Sequence, residues 1–225
     1  SVVCGSSAGL MDQLQPFDVV SFTGSAETAR IIRSHPAVAE RSVRCNIEAD
    51  SLNSALLDPA AEEGSDAFNL LVTEVVREMT VKSGQKCTAI RRVFVPRALY
   101  DAVARAIGAK LVKTSVGNPR NESVRMGSLV SQEQKANVLA GIAQLRTEAE
   151  VLFDGGNAPL VEADAAIAAC VAPVLLGSRE PAKARVLHEV DAHAGATAPF
   201  DDRAIVVVGR GSSRIRRRGG IRQRG

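Results

Sequence analysis

The chain has 225 residues, of which 45% are hydrophobic and 24% charged, and a formal net charge of +3. This is the profile of a globular chain with room for one large domain or two modest ones. No run approaches the roughly 18 uninterrupted apolar residues of a membrane span, and "SVVCGSSAGL" lacks the basic start and apolar core of a secretory leader, so the sequence reads as cytoplasmic. The net charge conceals a division. Eight arginines (203, 210, 214, 216, 217, 218, 222 and 224) and no acid follow Asp202, which leaves 20 bases against 25 acids in residues 1–202. The body is mildly acidic and the arginine run has no interleaved aromatics, so it reads as a solvated basic tail rather than a nucleic-acid surface. Cys4, Cys45, Cys87 and Cys170 are widely spaced without a C-x-x-C pair. Neither a zinc site nor a disulfide framework is suggested, and the cysteines read as reduced thiols.

In chain order, "FDVVSF" (17–22) reads as a strand that ends at "TGS". Ala26, Ala29 and Ile32 then recur at helical spacing, with a stop at His35-Pro36. Two further strands are expected at 42–47 and 53–57. Phe68, Leu71, Val72, Val75, Val76 and Met79 form an apolar stripe, so a helix should start at Ser65 or Asp66 as N-cap and end near Ser83-Gly84, with the glycine as C-cap. There follow a strand at 89–95, a helix at 97–113, a turn at 117–121, a helix at about 131–148, strands at 150–153 and 170–176, and a "DGGN" turn between those strands. Alternation of this kind predicts α/β architecture with largely parallel sheets.

Three constellations carry chemistry. "SFTGS" (21–25) brings Thr23, Gly24 and Ser25 from a strand to a helix N-terminus, which suits an anion or a cofactor edge and equally suits a structural turn. Glu48 in "NIEADS" follows an apolar strand, and the carboxyl ends of strands in open sheets carry functional groups; a solvated rim carboxylate is the alternative. Cys87 in "KSGQKCTAIRRVFVP" sits in a polar turn between a helix and a strand. A buried thiol is inert, whereas an accessible one in a polar setting is a candidate nucleophile.

Taken in order, "SFTGS", the glutamate after a strand and "GQKC" 39 residues later resemble the NAD(P)-dependent aldehyde dehydrogenase superfamily. "MGSLVS" (126–131) is similar to that family's G-P-L-V segment. "NIEADSLNSALL" and "EVVREMTVKSGQKCTAIRRVFVP" resemble the branch that acts on CoA-thioester semialdehydes from aromatic ring cleavage. The resemblance implies an aldehyde dehydrogenase-like α/β fold. Residues 1–49 would be the C-terminal part of a Rossmann-type cofactor domain, 50–189 an α/β catalytic domain, and 190–225 a degenerate basic tail. It further implies Cys87 as the nucleophile, Glu48 as the base, Thr23, Gly24 and Ser25 at the cofactor, and Gln85 and Lys86 shaping the cysteine loop. The implied cofactor is NADP or NAD, with no metal, and the implied enzyme is a homo-oligomer acting on a CoA-linked semialdehyde.

There are departures from the family pattern. The family's cofactor domain starts well before "SFTGS" and includes an asparagine of the oxyanion hole that has no counterpart here. Ala29 stands where many members have glycine. The family's E-x-F-G-P motif should fall near "HEVDAHAGATAPF" (188–200), where only Asp191 approximates it and Phe, Gly and Pro are not in register. On its own, the chain is expected to show no dehydrogenase turnover; a second reading makes it an inactive α/β interaction module.

Overall fold

The computed structural model describes residue 2 and residues 9–49, 53–147, 149–162, 169–178 and 204–208, the last strand and Ser178 by backbone only. Cys4, Asp191 and most of the basic tail lie outside the described residues. The chain divides into two compact units, residues 1–51 with 212–225 and residues 52–211.

The first unit is built on two parallel strands, β1 (Val19–Gly24) and β2 (Arg44–Ala49), joined through helices α1 (Ala26–Arg33) and α2 (Pro36–Glu40). β1 starts two residues later than its apolar run because Phe17 takes φ 78° and is 96% exposed, while the Gln15 N–H donates to the Asp18 carboxylate and turns the chain. The strand also runs on through Thr23 and Gly24, and β2 continues through Glu48, so these residues lie within strands rather than after them. His35-Pro36 closes one helix and opens another. Pro36 at the first helical position needs no N–H partner, and His35 Nδ1 caps α2 by accepting from the Ala37 N–H at 3.3 Å. Among the described residues of this unit, Ala29, Ile32, Ala37 and Val43 are the buried apolar ones.

The second unit is a five-stranded sheet in the order β3-β4-β7-β6-β5, comprising β3 (Asn53–Leu56), β4 (Ile90–Phe94), β5 (Glu150–Asp154), β6 (Val174–Ser178) and β7 (Ala204–Val208). Only β3 and β4 are parallel; the pairs β4·β7, β7·β6 and β6·β5 are antiparallel. The expected parallel pairing holds for β1·β2 and β3·β4, while the antiparallel pairs make the sheet of this unit mixed. β6 begins at Val174, four residues beyond the expected start, because Cys170–Pro173 run as irregular chain. β7 lies in the stretch read as a basic tail. Its "AIVVV" run has the β-branched composition of a strand, which the flanking arginines and glycines obscured.

Helices α3 (Asp66–Thr80), α4 (Tyr100–Leu111) and α5 (Gln132–Leu145) complete the second unit. Ser65 caps α3, its Oγ accepting from the Phe68 N–H. The predicted stripe of α3 is the one that is buried. Phe68, Leu71, Val72, Val75 and Met79 pack with Val103, Ile107 and Leu111 of α4 and with Leu57, Val93, Val95 and Leu175 into one core cluster. Burying a Val or Leu side chain contributes about 1.5–3 kcal/mol, so this cluster anchors both ends of the segment that carries Cys87.

Candidate active site

The helix preceding the cysteine ends at Thr80, earlier than expected, and Gly84 is not its cap. Lys82, Ser83 and Gly84 then adopt left-handed backbone at φ 51°, 55° and 69°. For Lys82 and Ser83 this conformation costs roughly 1–2 kcal/mol each, so other bonds must hold it. Ser83, which is buried, donates from Oγ to the Gly127 carbonyl at 2.8 Å. Gln85 donates from Nε2 to the Lys82 carbonyl at 3.0 Å and the Ser128 carbonyl at 3.4 Å, and its Oε1 accepts from the Val130 N–H at 3.1 Å. The "MGSLVS" segment is thus the wall against which the cysteine loop is tied.

Lys86–Ala89 form a turn closed by the Ala89 N–H donating to the Lys86 carbonyl at 3.2 Å. Cys87 and Thr88 occupy its corners, both exposed. The carbonyls of this loop face inward onto side-chain donors. The guanidinium of buried Arg91 on β4 reaches the Gly84 carbonyl at 3.0 Å and the Lys86 carbonyl at 3.2 Å. Asn53 at the start of β3 donates from Nδ2 to the Cys87 carbonyl at 2.7 Å and to the Ala89 carbonyl at 3.4 Å. Among the described residues the N–H of Cys87 has no acceptor. Lys86 turns back to pair with Glu78 of α3, Nζ to Oε1 at 2.6 Å, with the carboxylate largely buried.

Sequence reasoning singled out Gln85 and Lys86 but not Asn53, Glu78, Ser83 or Arg91. Glu78 did carry a signal, since a glutamate beside Met79 on the apolar stripe of α3 needs a buried partner. Asn53 carried none beyond opening a strand.

In the other unit, the parallel register pairs Thr23 with Glu48 and Gly24 with Ala49. Along both strands the outward positions are exposed, Ser21 and Thr23 on β1 and Asn46 and Glu48 on β2, while Val20, Phe22, Cys45 and Ile47 are half-buried. Thr23 and Glu48 therefore stand side by side on one open face at the carboxyl end of the strand pair. Ser25 is the N-cap of α1: its Oγ accepts from the Thr28 N–H at 3.2 Å and donates to Thr28 Oγ1 at 2.9 Å. This hydroxyl is committed to the helix. Hydroxyls, an amide and a carboxylate on that face suit the ribose and carboxamide of a dinucleotide. Gly24 keeps the strand end slim, since a Cβ there would meet Phe22 Cζ at 2.5 Å. Among the described residues no group of three or more His, Cys, Asp or Glu side chains could hold a metal ion, and no helix is long and apolar enough to cross a membrane.

Residues 1–192 match the model of the aldehyde dehydrogenase family. The chain belongs to that family. It is 53% identical over 192 residues to the 3,4-dehydroadipyl-CoA semialdehyde dehydrogenase of Aromatoleum evansii, covering 85% of this chain and 37% of that protein. It is 29% identical to the phenylacetaldehyde dehydrogenase of Pseudomonas fluorescens, covering 84% of this chain and 36% of the other. The chain thus spans little more than a third of the length of these curated relatives. Among solved structures, proline utilization A of Bradyrhizobium japonicum superposes with a TM-score of 0.61 at 27% identity, over 73% of this chain and 16% of that one. The betaine aldehyde dehydrogenase of Staphylococcus aureus in complex with NAD+ shares the fold at 22% identity, with a TM-score of 0.59 over 70% of this chain and 30% of its own. Aldehyde dehydrogenases oxidise aldehydes with NAD(P)+, and the chain is a member of an enzyme family of that chemistry.

Proposed function

We propose that the chain carries the thiol and the base of a semialdehyde dehydrogenase acting on a CoA-linked substrate of the 3,4-dehydroadipyl-CoA semialdehyde type. The 53% identity to the Aromatoleum evansii enzyme supports the substrate class. The observation that carries the chemistry is the exposed Cys87, set at a turn whose carbonyls are drawn inward and whose Cys87 N–H has no acceptor among the described residues.

Cys87 sulfur attacks the aldehyde carbon, forming an S–C bond and moving the carbonyl electron pair onto oxygen. The Cys87 N–H donates to that oxyanion, a contribution of the kind that dominates acyl-transfer catalysis. Thr23 and Gly24 hold the dinucleotide, with Ser25 ordering the helix beside them. When bound, NADP+ or NAD+ supplies the acceptor for the hydride that leaves the carbon. Glu48 then takes a proton from the water that cleaves the Cys87 thioester and releases the acid.

The test uses a chimera in which residues 1–192 replace the matched segment of the Aromatoleum evansii enzyme. Cys87→Ser is expected to abolish aldehyde-dependent cofactor reduction. Glu48→Gln is expected to release about one equivalent of reduced cofactor and then stall, because acylation needs no base and deacylation does. Turnover by Cys87→Ser at the parent rate would sink the proposal, and unimpaired steady-state turnover by Glu48→Gln would move the base elsewhere.

A further inference from the structure

An unassigned interaction at the thiol's own residue is the bond from Asn53 Nδ2 to the Cys87 carbonyl at 2.7 Å, made across 34 residues of sequence. The same amide reaches the Ala89 carbonyl at 3.4 Å, so one side chain spans the turn that has Cys87 at its corner. A peptide plane is rigid. Fixing the Cys87 carbonyl therefore fixes the Cys87–Thr88 plane, while Arg91, bonded to the Lys86 carbonyl at 3.2 Å, fixes the plane that bears the Cys87 N–H. Removing the Asn53 donor leaves one of these two planes free to rotate.

We infer that Asn53 is a positioning residue, which holds the cysteine turn so that the Cys87 N–H meets an oxyanion formed on carbon bonded to the Cys87 sulfur. The inference rests on Cys87 being the nucleophile. Asn53 itself touches no reacting atom. It acts through the turn, and its effect should be confined to reactions that develop negative charge on oxygen.

That restriction supplies a test on the 225-residue chain without any cofactor. With p-nitrophenyl acetate, Cys87 sulfur bonds to the acetyl carbon through a tetrahedral oxyanion, the C–O bond to the leaving group breaks, and p-nitrophenolate departs with the electron pair. Iodoacetamide reacts with the same sulfur by displacement of iodide and forms no oxyanion. Asn53→Leu keeps the branching of the side chain and removes the donor; Asn53→Asp keeps the shape and sets an acceptor against the carbonyl.

In both variants acetylation of Cys87, read by stopped-flow release of p-nitrophenolate and located by peptide mass mapping, is expected to fall by about 10- to 100-fold. Alkylation by iodoacetamide should stay at the parent rate. Equal losses in the two reactions would show a loop that has simply collapsed, and no loss in either would show an idle hydrogen bond; each overturns the role of Asn53. Acetylation of the parent chain at a residue other than Cys87 would instead overturn the nucleophile assignment, and this inference with it.

Discussion

Two cysteines of the second unit meet opposite surroundings. Cys87 is exposed at a turn, whereas Cys170 is 4% exposed in a small cluster with Val116 and Met126, and its Sγ lies 3.8 Å from the Gly117 carbonyl. Burial pushes the Cys170 thiol above its ordinary pKa, with Lys135 opposing that shift only in part. Thiolate is the reactive species, so iodoacetamide near neutral pH should label Cys87 first, half-buried Cys45 more slowly and Cys170 last. Peptide mapping after timed quenching checks the order, and equal rates in the folded chain would contradict it. The placement of Cys87 was legible because its neighbours in sequence are polar. Its supports were not. Asn53 and Gly127 meet the loop only after β3, β4 and the 126–131 segment have come together, and no local pattern encodes a bond across 34 or 44 residues.

At the scale of elements, β6 and α4 fit through a glycine. A Cβ on Gly177 would lie 1.9 Å from the Tyr100 hydroxyl and 2.5 Å from Leu152 Cδ1. Tyr100 is fully buried and donates to Glu150 Oε1 at 3.0 Å, so the ring cannot retreat without losing that bond. Gly177→Ala should cost about 1–3 kcal/mol by overpacking. Tyr100→Phe in the same chain should recover part of the loss by vacating the hydroxyl's space, a coupling that denaturant unfolding of the single and double variants would measure. At the end of β5, the Gly156 N–H and the Arg146 guanidinium both bond the Asp154 carboxylate and hold its pKa below the ordinary 3.8. A carboxyl depressed in this way adds stability above its unfolded pKa and loses it as pH falls through the folded value. Asp154→Asn should therefore unfold at lower urea than the parent at pH 7, and the gap should shrink as pH drops below about 4. A gap of constant size from pH 7 to pH 3 would place the effect outside the carboxylate's charge. The helices were readable here from their 3.6-residue stripes, but strand direction was not. Periodicity is the same for parallel and antiparallel strands, and the mixed order emerges only from which edges pair.

On the scale of the molecule, the buried members of the main core cluster of the second unit lie, among the described residues, between Leu57 and Leu175, with Ala55 packed against them. All five strands of its sheet also lie within residues 52–211. A polypeptide of residues 52–211 is accordingly expected to unfold cooperatively on its own, with a urea midpoint close to that of the same unit in the whole chain. A broad, non-cooperative melt would show that the first unit is needed to complete it.

The inward-facing carbonyls of the cysteine turn also bear on amide hydrogen exchange. Arg91 and Asn53 restrain this backbone through its oxygens, and among the described residues the N–H groups of Lys86, Cys87 and Thr88 have no acceptor. Exchange protection reports whether an N–H is bonded, not whether its peptide plane is held still. Deuterium should therefore enter these three amides within seconds, as in a frayed terminus, while the neighbouring amides of β4 resist it. A turn held firmly through its carbonyls would carry the exchange signature of a loose one.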